Sequence, residues 1–155
     1  MLLRFTRGKN DKPDTLTCVR EDGSSTWEPS KVGIPHDLLH YAVETTLGYR
    51  NAFYGLVAGG RDIASFGTKN GVKDVYSDEE LWAESIVGML QWPAMGGSRL
   101  SEAESLALIE NHFEEHGQPV PPLTVEQLVQ IRMKARELLR QWGELEEGEV
   151  LELRF

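Results

Sequence analysis

A single cysteine in 155 residues excludes an intrachain disulfide and any cysteine-built zinc cage. Cys18 lies in an alternating, strand-like stretch and reads as a buried structural thiol, because a free cysteine packs as a small hydrophobe. Long apolar runs are also missing: no stretch approaches the roughly 20 residues that span a bilayer. Met1-Leu2-Leu3-Arg4-Phe5 meets a charge too early for a secretion signal. Positive charge is scarce, with 16 Lys and Arg against 25 Asp and Glu and a net charge of −9. Such a field repels a phosphate backbone, so neither nucleic acid nor a membrane is an expected partner. The one basic cluster, Arg4, Arg7, Lys9 and Lys12, is interrupted by Asp11 and Asp14. No dinucleotide fingerprint or nucleophile elbow occurs. These absences leave a cytoplasmic protein with a reduced thiol. Its 40% apolar and 26% charged residues are ordinary for a globular chain, and its length suits one domain over 1–155.

Strand patterns lie at the two ends. Leu3 and Phe5 alternate with Arg4 and Thr6. Leu16 and Cys18 alternate with Thr17 and Val19. Asp22-Gly23 then supplies a tight turn into a strand over 25–28 that contains Trp27. Leu151, Leu153 and Phe155 alternate with Glu152 and Arg154. Between the ends the patterns are helical. Pro35 suits the first turn of a helix that runs to Leu47 and stops at Gly48. A short helix over 51–57 ends at Gly59-Gly60, and 61–76 reads as a loop. Three capping boxes open later helices: Ser77…Glu80 to about Trp92, Ser101…Glu104 to His116, and Thr124…Gln127 to about Trp142. Pro93 stops the first of these. Gly96-Gly97-Ser98-Arg99 reads as a connector. In the last helix Leu128, Ile131, Ala135, Leu138 and Trp142 recur at helical steps and predict a core-facing stripe. The expected fold is α+β: a small antiparallel sheet of N-terminal hairpin strands plus the C-terminal strand, covered by four to five helices.

Against this ordinary background, His36-Asp37-Leu38-Leu39-His40, followed by Glu44, stands out. Spacing of i, i+4 and i+8 aligns two imidazoles and a carboxylate along one helix edge. At about 100° per residue, His40 falls roughly 40° and Glu44 about 80° from His36, with the apolar stripe on the other side of His36. The histidines therefore border the buried stripe, and Glu44 is expected closer to solvent. Neutral imidazoles four apart can share one zinc or other divalent ion, with a carboxylate as third ligand. His36 and His40 are the candidate ligands, with Glu44 as third. Glu84, in an otherwise fairly apolar helix, is a second candidate for that place. Asp37 stands one methylene short of the general base in the His-Glu-x-x-His pattern of zinc hydrolases. If the site is catalytic, the pattern points to metal-dependent hydrolysis, with Asp37 as base or orienting group. The alternative is a structural or protein-interaction edge that holds no metal, in which Asp37 serves the helix dipole.

His112 and His116 repeat the spacing, and His112-Phe113-Glu114-Glu115-His116 matches the inverted pattern His-x-x-Glu-His. That pair sits at a charged helix end, where the dipole alone favours histidine. Tyr49, Phe53, Tyr54 and Trp27 are candidates to line a pocket near the first pair or to fill the core.

The run from Pro35 to Glu44, with Gly48 and Phe53-Tyr54-Gly55-Leu56-Val57-Ala58 after it, resembles a family of small bacterial proteins of unassigned function. Members share an N-terminal hairpin with an Asp-Gly turn, a His-Asp-Leu-x-His helix and a Leu-Glu-Leu-x-Phe-like end. The matching positions here are Asp22-Gly23, His36 to His40 and Leu151 to Phe155. The resemblance implies a bacterial, cytoplasmic protein, and it brings no activity, ligand or catalytic residue with it. His112 and His116 lie outside the shared pattern.

Overall fold

Alternation along the first strand decides which way the sheet faces. In the computed structural model, which describes residues 1–66, 76–91 and 100–155, β1 spans Leu2–Thr6 and buries Leu3 and Phe5 completely. β2 (Thr15–Val19) pairs antiparallel with it, placing Cys18 opposite Leu3 and Leu16 opposite Phe5. β3 (Ser25–Pro29) returns through the Asp22-Gly23 turn, and β4 (Val150–Arg154) pairs antiparallel with the free side of β1. The sheet order is β3-β2-β1-β4, as the two-ended strand pattern predicts. Burial pushes the Cys18 thiol up to about 12, the mark of a core residue rather than a nucleophile. Register corrects one expectation. Thr26 pairs with Cys18 and turns inward, so Trp27 points out, stays 60% exposed and does not line the cavity beside the histidines.

Among the described residues five α-helices follow: α1 (Ile34–Leu47), α2 (Phe53–Ala58), α3 (Asp78–Gln91), α4 (Glu102–Glu115) and α5 (Val125–Glu144). Within the described part of the expected loop over 61–76, Ile63–Ser65 forms a 3-10 turn. All three capping boxes form, each hydroxyl accepting a backbone N–H while the Glu or Gln accepts one in return. The end of α3 at Trp92-Pro93 and the Gly96–Arg99 connector lie outside the described residues. α5 buries the expected stripe against α1. Each large apolar side chain sealed this way contributes about 1.5–3 kcal/mol.

α1 is the hub of the helical layer. It packs against α5, α3 and α2, and its Leu38, Ala42 and Val43 join the strand residues in one core. Gly48 ends it in the left-handed region at φ 71°, where other residues are strained. The chain then folds back so closely that a Cβ on Gly55 would stand 2.2 Å from the Arg50 carbonyl oxygen. That tight return sets the start of α2 against α1.

Candidate metal centre

The first turn of α1 is locked from the preceding loop. Ser30 Oγ accepts the Gly33 N–H at 3.1 Å and donates to Asp37 Oδ2 at 2.7 Å. Asp37 is thereby tied to the helix start, where a negative charge suits the dipole. Burial raises its carboxyl to about 6, against the opposing pull of the Ser30 hydrogen bond and the His40 charge.

One turn on, the two imidazoles meet. His36 Nε2 and His40 Nε2 lie 3.1 Å apart, their rings edge-on with centroids 4.7 Å apart. Glu84, presented by α3, brings Oε1 to 3.6 Å from His40 Nε2. Donor atoms of His36, His40 and Glu84 all fall within 4.8 Å of one another, the one such group among the described residues. Two nitrogens bound at about 2.0–2.1 Å to a tetrahedral zinc ion stand roughly 3.3 Å apart. The imidazole pair is therefore already close to ligand spacing, and Glu84 needs a modest side-chain adjustment. Its side chain is 60% exposed, so it has room to make one.

Behind each imidazole stands a group that addresses its other nitrogen. The Gln91 amide lies 2.9 Å from His36 Nδ1. Glu44 Oε1 faces His40 Nδ1 at 3.6 Å, beyond hydrogen-bond reach, so these two atoms are buried opposite each other without a hydrogen bond. Glu44 Oε2 is held by the Tyr54 N–H at 2.9 Å and the Gly55 N–H at 3.4 Å. An imidazole that binds through Nε2 carries its proton on Nδ1, and a carboxylate there fixes ring and tautomer.

Charge follows this geometry. Burial pulls the His40 imidazolium down, but contacts with Glu44 and Glu84 outweigh it and raise His40 to about 9. Burial and the neighbouring His40 charge lower His36. Burial pushes Glu44 up, opposed by His40 and the two backbone N–H groups, while the contact with His40 lowers Glu84. Two carboxylates thus flank the His40 ring, one at each nitrogen, and favour a positive charge there.

The expected positions sort clearly. His36 and His40 converge. Of the two candidates for a third ligand, Glu84 joins them, and Glu44 stands behind His40 on the side away from the shared point. Its expected lean toward solvent is overturned: Glu44 is fully buried and His40 is 5% exposed. A helical wheel with one buried stripe fails here because neighbours cover α1 on several sides. Phe53 faces the cavity beside the histidines, whereas Tyr49 and Tyr54 are core. Sequence reasoning missed Ser30 and Gln91. Ser30, three residues before Gly33 in a Pro-framed loop, offers a capping signal; Gln91 offers none, being 55 residues from His36.

His112 and His116 are exposed at the end of α4, where His116 Nδ1 lies 2.7 Å from the His112 carbonyl oxygen. No carboxylate completes a cluster with them among the described residues. No helix among the described residues is long and apolar enough to cross a membrane. No protein-family model, curated protein or solved structure matches the chain.

Proposed function

We propose that this protein binds a divalent metal ion, zinc first among them, through His36 Nε2, His40 Nε2 and the Glu84 carboxylate. The observation that carries the reading is the convergence of two imidazole nitrogens 3.1 Å apart with a carboxylate 3.6 Å from one of them. Glu44 and Gln91 are the positioning groups for the two rings. Three protein ligands leave a fourth position open, the arrangement that lowers the pKa of a bound water and supports hydrolysis. Asp37 lines the same cavity and is the group nearest in the sequence pattern to a base. We place the protein in a bacterial cytoplasm, in keeping with the resemblance of the His36–Glu44 helix and with a lone, buried Cys18.

A competing reading draws on the same contact. An Nε2–Nε2 distance of 3.1 Å is also a hydrogen bond when one ring carries the proton; with the Gln91 amide on His36 and Glu84 beside His40, the cluster would then be a metal-free tie between α1 and α3. Elemental analysis of protein purified without a histidine tag separates the two. Stoichiometric zinc, manganese or iron that disappears in a His36→Ala/His40→Ala variant supports the metal reading. Trace metal that persists unchanged in that variant leaves the tie.

A further inference from the structure

The cluster forms one wall of a larger space. A cavity of about 290 Å³ opens beside it, bounded by the loop after β3, α1, α2, the 3-10 turn and α3. That is the small end of ligand pockets, which run roughly 300–1,000 Å³, and it suits a compact molecule rather than a peptide. The chemistry of the wall is divided. His36, Asp37, His40 and Glu84 occupy one side, while Phe53, Ile63 and Phe66 line another. The Phe53 and Phe66 rings are 4.8 Å apart and tilted 55° to each other, and the His40 ring is 6.3 Å from Phe53, so the donor cluster abuts an aromatic corner. At the Phe66 end, the Arg61 guanidinium lies 4.0 Å from the ring centre and 3.9 Å from the Glu80 carboxylate. That cation is matched by an acid at the same edge, so the distinctive recognition lies in the donor wall and the aromatic corner.

Building on the metal reading, we infer that the cavity takes a small molecule with an oxygen-donor head for the ion and a compact apolar body that packs against Phe53 and the free edge of Phe66. Aromatic side chains favour such a body through buried area and offset or edge-on ring contact. The head is directed to the ion because the ligand cluster is part of the same wall.

Two hydroxamates test this, because they share a metal-binding head and differ in the body. The full-length chain is loaded with zinc, and loading is verified by elemental analysis after desalting. Acetohydroxamate and benzohydroxamate are then titrated calorimetrically, with zinc retention checked at the end. Benzohydroxamate is expected to bind at least about tenfold more tightly, the scale set by burying a phenyl group. Phe66→Ala, confirmed folded by its melting curve and still binding zinc, should shrink that ratio severalfold. If that variant does not fold, the ratio in the unaltered protein decides alone. Equal affinities in zinc-loaded protein would overturn the inference and leave the metal site standing. Failure to take up zinc at all would overturn the metal reading and this inference with it.

Discussion

Two histidine pairs in this chain share one spacing and differ in everything around it. His36 and His40 lie on the helix at the centre of the helical layer, with Glu44 and Gln91 behind them and Glu84 reaching over from α3. His112 and His116 lie on the exposed end of α4, their rings 4.5 Å apart and one ring nitrogen beside a backbone carbonyl of its own helix. Spacing of i, i+4 brings two rings together in both places. A site also needs a third donor from another element and fixed partners for the second nitrogens. Among the described residues only the first pair has that third donor, with Gln91 beside one second nitrogen and a buried carboxylate facing the other. The difference is topological: among the described residues α1 packs chiefly against α5, α3 and α2, while α4 packs chiefly against α5 and α3.

The largest effect expected from breaking this contrast is at Glu44. Glu44→Ala would strip a buried acceptor from the Tyr54 and Gly55 N–H groups and leave the His40 charge without its innermost partner. A loss of about 3 kcal/mol or more is expected in denaturant unfolding, because the groups left behind stay buried and unpaired. Glu44→Gln keeps a carbonyl for those N–H groups and should cost about 1 kcal/mol. Equal losses for the two would show that side-chain volume, not the acceptor, is what matters. Next comes Glu84→Gln, at a largely exposed side chain. Zinc affinity should fall by about tenfold or more, equivalent to 1.4 kcal/mol, with little change in the melting temperature. An unchanged affinity would remove Glu84 from the ligand set. Ser30→Ala breaks the hydrogen bond that ties the loop to Asp37 and should cost about 1 kcal/mol. A loss within error would mean that Asp37 keeps the helix start in place unaided. At the small end, His112→Ala/His116→Ala should change stability by no more than about 0.5 kcal/mol, as for other surface substitutions. A larger change would mean that the exposed pair has a role the contrast denies it.

How far the sequence alone reaches depends on how local each determinant is. The capping boxes at Ser77, Ser101 and Thr124 and the stop at Gly48 act within a few residues, and all of them are readable. Strand alternation is just as local, so the inward set of Leu3, Phe5, Leu16 and Cys18 is plain. Trp27 was within reach as well: counting outward from the Asp22-Gly23 turn pairs Cys18 with Thr26 and turns the tryptophan outward. The candidate site is half local. His36 and His40 announce themselves by spacing, and Glu84 by being an acid in a fairly apolar helix. The burial of Glu44 has no local cause. It follows from the close return at Gly55, which carries two backbone N–H groups onto the carboxylate. The Gln91 contact is set by how α3 crosses α1, which is a property of packing.

The claim at the centre of this account is that burial and a third donor turn one histidine pair into a metal site and leave the other inert. Calorimetric zinc titration of the tag-free protein beside its two double variants tests it directly. Zinc should bind in a single step to the unaltered protein and to His112→Ala/His116→Ala with the same affinity. It should bind at least about a hundredfold more weakly to His36→Ala/His40→Ala, equivalent to some 2.7 kcal/mol. Equal binding in all three, or a loss confined to the His112 and His116 variant, would contradict the account.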